Sequence, residues 1–219
     1  MVVDSRSSAS RFRKNKASFY LRTGKGMFDR AAALAGLVLF SPLFLVVAVA
    51  VKLDSPGPVF FGHNRVGRNF IPFKVLKFRS MVCDASRTGP AITRGGDPRI
   101  TRVGKVLRAS KIDELPQLVN VLLGQMSLVG PRPEVARYVE MFTEDYREIL
   151  TVCPGITDYA ALEFRNEEAL LQGFKSMEDA YINIIMPAKI SLYKKYISRI
   201  GFCEDLRILM RTFFLLLRR

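Results

Sequence analysis

The hydrophobic pattern divides the chain into a tail, an apolar run and a longer mixed region. The run from Ala31 to Val51 contains no charged residue. At about 1.5 Å per residue, a helix of this length is long enough to cross a hydrocarbon core of roughly 30 Å. The pattern predicts a basic flexible tail over residues 1–24, a membrane segment over 25–54 and a folded domain with a C-terminal amphipathic helix over 55–219.

The folded domain is predicted to be mainly α-helical with one small β-hairpin. Two β-prone runs, near residues 59–61 and 70–78, flank a polar loop and indicate the hairpin. From about Arg102 onward, apolar residues recur at helical spacing between breaks at Pro and Gly. Besides the stretch that begins at Arg102, the spacing predicts helices over 111–123, 135–150, 166–173 and 179–198, the last interrupted at Pro187.

Two interpretations fit the apolar run. Ser41-Pro42 lies at its middle, where proline removes a backbone donor and clashes with the preceding turn. A proline-kinked transmembrane helix fits this pattern. However, the basic residues before the run favour a cytoplasmic N-terminus, and the domain after it, basic and with free cysteines, suits the same compartment. A re-entrant helix-break-helix, which enters and leaves on one side, fits all of these features.

The C-terminal segment also fits two interpretations. Residues 205–219 alternate arginines with Leu, Met and Phe at helical spacing. This pattern is typical of an amphipathic helix that lies in a membrane interface. It is equally compatible with a terminal helix that packs on the core.

The amino-acid composition limits the partners and reactive groups that the chain can use. The chain has 34 Lys and Arg against 20 Asp and Glu, a net charge of +14, so phosphates, anionic lipids or nucleic acid are the expected partners. Its three cysteines form no CxxC pair and His63 is its single histidine, which argues against a zinc site or a Ser-His-Asp triad. Acid–base chemistry must therefore come from carboxylates or lysine.

Asp113 and Glu114 are the candidate reactive groups. They open the predicted helix over 111–123, where acidic residues are also ordinary helix-start residues. On the functional interpretation, the helix dipole keeps Asp113 ionised as a nucleophile or metal ligand, with Glu114 as its acid–base partner. Cations that could clamp a diphosphate occur at Lys77, Arg79, Arg99, Arg102, Arg108, Arg132 and Arg165.

A series of short motifs resembles one known family. In order, they are FDR (28–30), SP (41–42), GPVFF (57–61), KFRSM (77–81), DPRITRVG (97–104), DELPQL (113–118), MSLVGPRP (126–133) and PGIT (154–157). Each motif alone is weak, but their order and spacing are highly specific. The chain resembles the monotopic polyprenyl-phosphate phosphoglycosyl transferases of bacteria from about Lys25 to its C-terminus. Residues 158–162 (DYAAL) depart from the family pattern, so the resemblance does not extend to the choice of sugar.

The resemblance implies a two-step reaction. Asp113 attacks the sugar-linked phosphate of a UDP-sugar and releases UMP, and undecaprenyl phosphate then takes the phospho-sugar from the enzyme. Glu114 is implied as the partner that activates the lipid phosphate, and Mg²⁺ as a cofactor held by Asp113. Phosphate-contacting or site-supporting cations are implied at Lys77, Arg79, Arg108, Arg132 and Arg165.

The resemblance also implies a location and a role. Ser41-Pro42 breaks a re-entrant helix in the bacterial inner membrane, with the catalytic domain on the cytoplasmic face. The reaction is then the first membrane step in the assembly of an exopolysaccharide, lipopolysaccharide or other glycoconjugate. Anionic membrane lipids are expected partners, while homo-oligomers and glycan-assembly partners remain open. A nucleic-acid-binding module is disfavoured because no recognisable nucleic-acid motif accompanies the positive charge. A bitopic enzyme acting outside the cell would place Asp113 where nucleotide sugars are absent.

Overall fold

The computed structural model describes Tyr20, residues 24–83 and residues 97–217, without the side chains of Glu168, Leu216 and Leu217. The predicted flexible tail lies outside the described residues except for Tyr20 and Gly24. The helices of the described part are α1 Lys25–Asp54, α2 Arg102–Ser110, α3 Gln117–Leu122, α4 Ala136–Met141, α5 Thr143–Ile149, α6 Tyr159–Glu163, α7 Glu167–Gln172, α8 Met177–Ala180, α9 Met186–Ile197 and α10 Phe202–Leu217. The strands are β1 Phe60–Val66, β2 Pro72–Phe78, β3 Ser127–Val129 and β4 Gly155–Thr157.

Helix α1 continues through Pro42 over 30 residues. Proline has no N–H to donate to the carbonyl four residues earlier, which belongs to Val38. The Ser41 hydroxyl donates to that carbonyl oxygen at 2.8 Å and replaces the missing donor. The Ser-Pro pair therefore keeps the backbone satisfied, and the helix is not broken at the point where the re-entrant interpretation places a break.

One side of α1 lies along the folded domain for most of its length. In its first half Ala33 packs with Val75 and Met126. In its second half Val47 and Val51 pack with Phe78 and Leu107 of the same domain. The other side exposes large apolar side chains at Met27, Leu34, Val38, Leu39, Leu45, Val46, Val49 and Leu53. Among the described helices, α1 alone has the length and apolar composition needed to cross a membrane.

Arg79 closes the C-terminal end of α1. Its guanidinium donates to the backbone oxygens of Val51, Ser55 and Pro56 at 3.1, 2.6 and 2.7 Å. Val51 belongs to the last turn of α1, and its carbonyl oxygen also accepts a hydrogen bond from Ser55 N at 3.4 Å. Gly57 makes the close approach possible, because it has a φ of +120° and a Cβ there would lie 2.2 Å from Arg79 Nη1.

The predicted hairpin is confirmed, and a second pair of strands was not predicted. Strands β1 and β2 are antiparallel, with Phe61 opposite Lys77 and His63 opposite Val75. Strands β3 and β4 form a short parallel pair in which Ser127 lies opposite Gly155. Each strand of this pair has three residues, which is too short to give a recognisable alternation in the sequence.

The helices after Arg132 pack around the largest apolar cluster, which includes Tyr138, Tyr146, Ile149, Met186 and Tyr193. The predicted helix over 135–150 is divided at Phe142 into α4 and α5. The predicted helix over 179–198 is interrupted before Pro187 and not at it. A π-helical segment, Tyr181–Ile185, precedes α9, and Pro187 occupies the first turn of α9, the part of a helix that best tolerates proline.

Helix α10 combines both interpretations of the C-terminal segment. Its Ile208 is fully buried in a cluster with Val129 and Tyr196. Its opposite side exposes Leu206, Met210, Phe213 and Phe214. The helix therefore packs on the domain and also presents an apolar surface outward.

Candidate active site

Three of the predicted site residues meet around one carboxylate. Lys77, near the end of β2, donates to Glu114 Oε1 at 2.8 Å. Arg132 Nη2 donates to the same oxygen. Glu114 lies in a 3-10 turn, Ile112–Glu114, that follows α2. Residues from the hairpin, the turn and the loop after β3 thus form a compact cluster of charges.

Asp113 lies beside this cluster and is 6% exposed. Its Oδ1 is buried and has no hydrogen-bond partner within the described part of the chain. Burial raises the pKa of the Asp113 carboxyl above its usual value, and the charge of Lys77 opposes that shift. A poorly solvated carboxylate oxygen is free to accept a ligand, because no protein donor competes for it.

The predicted electrostatic origin of the Asp113 charge was wrong. The sequence predicted an α-helix over 111–123 whose dipole would keep Asp113 ionised. Instead Lys111 adopts a left-handed conformation that ends α2, and α3 begins only at Gln117, after Pro116. Asp113 is therefore in a 3-10 turn, and nearby cations rather than a helix dipole favour its ionised form.

Glu114 stays ionised in this arrangement. Burial alone would raise its pKa, but the charges of Arg132 and Lys77, with their hydrogen bonds, hold the pKa of Glu114 well below its usual range. A carboxylate with a low pKa is a weak proton acceptor. The geometry therefore supports Glu114 as the counter-ion that positions two cations.

The β3–β4 pair fixes the turn that carries Arg132. Gly155 N donates to the Pro131 carbonyl oxygen at 2.9 Å, and Gly130 N donates to Thr157 O at 3.0 Å. The two strands approach so closely that a Cβ at Gly155 would lie 2.1 Å from Gly130 N. Arg132 Nη1 also donates to the Ile156 carbonyl oxygen at 3.3 Å. The guanidinium is thus held by β4 on one side and by Glu114 on the other.

Asp158 supports this turn from within the domain. It is fully buried, and its carboxylate accepts the backbone N–H of Arg132 at 3.2 Å and that of Ala161 at 2.6 Å. The second bond caps α6. Asp158 belongs to the segment that departs from the family pattern, so sequence reasoning gave it no role. Its burial and backbone partners became visible only in the structure.

Asp158 should give the protein a pH-dependent stability. Burial raises its pKa from 3.8 to about 6, although the backbone hydrogen bonds and the Arg132 and Lys189 charges oppose the shift. The native state therefore holds this proton more tightly than the unfolded chain does. The contribution of Asp158 to the free energy of unfolding is fully present below about pH 4. It falls by roughly 3 kcal/mol as the pH rises from about 4 through about 6.

We expect Asp158→Asn to remove this dependence. The difference in melting temperature between variant and wild type should shift in favour of the variant by several degrees from about pH 4.5 to about pH 7.5. Thermal unfolding in detergent at both pH values measures it, with a substitution at an exposed position of α8, Asp179→Asn, as the control. A difference that stays constant with pH would contradict the assignment.

The remaining predicted residues lie at different distances from this cluster. Arg108 is close enough for its charge to act on two carboxylates. It helps to lower the pKa of Asp97, and it opposes part of the rise that burial causes in the pKa of Asp113. Arg79 instead holds the end of α1, and Ser41 and Pro42 lie within that helix. Arg165 is partly exposed after α6 and makes no ion pair with Asp113 or Glu114. Lys111, which was not among the predicted cations, interacts electrostatically with both carboxylates.

The described residues contain no group of three or more His, Cys, Asp or Glu side chains that could hold a metal ion. A Mg²⁺ site does not require one, because Mg²⁺ is often held by one or two carboxylates together with water and substrate phosphates. The unpartnered Oδ1 of Asp113 fits that type of site.

Comparison with known proteins gives a consistent result. A family model described as bacterial sugar transferase matches residues 20–219. A UDP-glucose:undecaprenyl-phosphate glucose-1-phosphate transferase of Caulobacter vibrioides is 39% identical over 191 residues, which cover 86% of this chain and 67% of the relative. The exopolysaccharide production protein PSS of Rhizobium leguminosarum is 38% identical over 197 residues, 86% of this chain and 92% of the relative.

A third relative is more similar but covers less. A UDP-N-acetylgalactosamine-undecaprenyl-phosphate N-acetylgalactosaminephosphotransferase of Aeromonas hydrophila is 50% identical over 141 residues, 62% of this chain. The matched segment spans only 33% of that relative's length. The family match nevertheless extends over nearly all of the present chain. The chain belongs to the bacterial sugar transferase family and is a sugar-phosphate transferase.

Proposed function

We propose that this chain transfers a phospho-sugar from a UDP-sugar to undecaprenyl phosphate, with release of UMP, through a covalent intermediate on Asp113. The observation that carries the proposal is the buried, unpartnered Oδ1 of Asp113 beside Glu114, Lys77 and Arg132. Two relatives are named as transferases that act between a UDP-sugar and undecaprenyl phosphate.

In the first step, a carboxylate oxygen of Asp113 attacks the sugar-linked phosphorus of the donor. The bond between that phosphorus and the bridging oxygen breaks, and the oxygen leaves with UMP. Lys77 and Arg132, which Glu114 holds in place, offset charge on the diphosphate. In the second step, a phosphate oxygen of the lipid attacks the same phosphorus and restores the Asp113 carboxylate. The product is a polyprenyl diphosphate sugar.

Mg²⁺ is the proposed cofactor, and Asp113 is its protein ligand. When bound, the ion would neutralise charge on the donor diphosphate. The buried Oδ1 of Asp113, which no donor contacts within the described residues, would be the oxygen that holds it.

The packing of α1 supports a monotopic arrangement. The same domain contacts α1 from Ala33 to Val51, a distance of about 27 Å along a helix. A helix that crossed the bilayer upright would carry that domain through the hydrocarbon core. An α1 that stays in the cytoplasmic leaflet of the inner membrane avoids this cost, and the outward Leu206, Met210, Phe213 and Phe214 of α10 would rest in the same interface. Arg207 and Arg211 of α10 would meet anionic lipids there.

The test is UMP release from protein in nanodiscs supplied with Mg²⁺, undecaprenyl phosphate and a panel of UDP-sugars. The expected result is UMP release with one or a few donors and formation of a lipid-linked sugar. Because the relatives are named for glucose and N-acetylgalactosamine, the panel includes both UDP-sugars and their epimers. Folded, lipid-supplied protein that releases no UMP with any donor would overturn the proposal.

A further inference from the structure

The face of the hairpin that carries Lys77 also carries an unexplained aromatic ring. Phe61 lies directly opposite Lys77 in the β1–β2 register, and residues opposite each other in an antiparallel pair share a face. The Phe61 side chain is 46% exposed. Its ring centroid lies 6.1 Å from that of His63, which is on the same face. An exposed ring therefore borders the cation that bonds Glu114.

The neighbouring Phe60 has a different environment although it is equally exposed, at 48%. Phe60 points to the opposite face, where its ring stacks on Phe78 at a centroid distance of 5.3 Å. Phe78 in turn contacts Phe44 of α1 at 5.0 Å. The packing on α1 thus accounts for Phe60, whereas the ring contact recorded for Phe61 among the described residues is with His63.

The position of Phe61 specifies an amphiphilic ligand. Only a short connection separates it from Asp54, the last residue of the apolar helix α1. On its other side lie Lys77 and then the Asp113-Glu114 pair. Phe61 is thus close in the chain to the end of an apolar helix and opposite a cation of the site in the strand register. A lipid phosphate matches both neighbours, because its hydrocarbon chain leads to an anionic head.

We propose that the Phe61 ring contacts the first isoprene units of the polyprenyl phosphate acceptor while Lys77 binds its phosphate. The inference rests on the proposed function, since it assigns the acceptor of that reaction to one edge of the site. Charge complementarity at Lys77 and the apolar surface at Phe61 both favour this ligand over a wholly polar one. A nucleotide base stacked on the ring is the competing occupant.

A two-step reaction allows the two occupants to be separated. The donor step is followed alone as the burst of UMP released without acceptor, and the second step as transfer to undecaprenyl phosphate or to geranyl phosphate. We expect Phe61→Ala to raise KM for both acceptors by about tenfold and to leave the UMP burst within about twofold of wild type. Phe61→Leu should recover most of the loss, because it restores an apolar contact.

Phe60→Ala is the matched control, since it removes an equally exposed ring from the opposite face. It should leave both acceptor KM values unchanged in protein that remains folded. A slower UMP burst or a raised donor KM in Phe61→Ala would assign the ring to the nucleotide and overturn the inference. Unchanged KM values for donor and acceptors would also overturn it. Absence of a UMP burst in wild type would instead refute the proposed function, so the two failures are distinguishable.

Discussion

Asp113→Asn is expected to abolish both UMP release and covalent labelling of the protein by a sugar-labelled donor. The amide retains the shape of the side chain but lacks the charge needed to attack phosphorus, so the rate should fall by at least about 10³-fold. Labelling is measured without acceptor, and hydroxylamine should release the label because it cleaves acyl phosphates. The loss should not reflect misfolding, because Asp113 Oδ1 makes no hydrogen bond within the described residues.

Two variants sharpen that result. Asp145→Asn replaces an aspartate paired with Lys194 on the surface, and it should label and turn over like wild type. Glu114→Gln releases Lys77 and Arg132 from their shared counter-ion, and it should slow turnover by about 10² to 10³-fold while labelling still occurs. Labelled Asp113→Asn protein would show that another residue is the nucleophile. Complete loss of labelling in Glu114→Gln with retention in Asp113→Asn would exchange their roles.

The sequence was informative where local rules decide the structure. The apolar run from Ala31 to Val51 became the centre of α1, and the two β-prone runs became β1 and β2. Motif spacing also identified Lys77, Glu114 and Arg132, which the structure brings into direct contact. The re-entrant arrangement of α1 remains a prediction.

Local rules failed where two distant segments determine a residue's environment. The acidic start at Asp113 reads as a helix N-terminus, but a left-handed Lys111 and Pro116 leave only a 3-10 turn there. Burial against other segments then raises the pKa of Asp113. Arg79 was predicted as a phosphate ligand from its charge, whereas its role at the end of α1 depends on carbonyls more than 20 residues away in sequence.

Sequence patterns also fail to predict the contact that joins the two ends of the described chain. Asp205 of α10 is 2% exposed and accepts hydrogen bonds from Tyr20 and Tyr196, each at 2.7 Å. Lys25, the first residue of α1, supplies its counter-charge at 2.5 Å. No sequence motif predicts this pair, since 180 positions separate its members. The pair nevertheless connects the predicted membrane segment with the C-terminal amphipathic helix.

Lys25→Met is expected to destabilise the protein strongly. It leaves the Asp205 carboxylate buried without its counter-ion, which typically costs about 3–5 kcal/mol. For a chain of this size the melting temperature in detergent should fall by about 10 °C. Lys25→Met combined with Asp205→Asn should recover only part of the loss. The Asp205 position then carries no charge, but buried Asp29, whose carboxylate lies 3.7 Å from Lys25 Nζ, still lacks its counter-ion. Thermal unfolding of the four members of this double-mutant cycle measures the coupling between the two residues.

The chain supplies a matched control in a second Lys–Asp pair. Lys194 and Asp145 lie 2.7 Å apart, but their side chains are 39% and 36% exposed, against 11% and 2% for Lys25 and Asp205. Because water screens the exposed pair, Lys194→Met should lower the melting temperature far less than Lys25→Met does. Equal losses from Lys25→Met and Lys194→Met would mean that burial does not strengthen the Lys25–Asp205 contact. The connection between α1 and α10 would then rest on apolar packing alone.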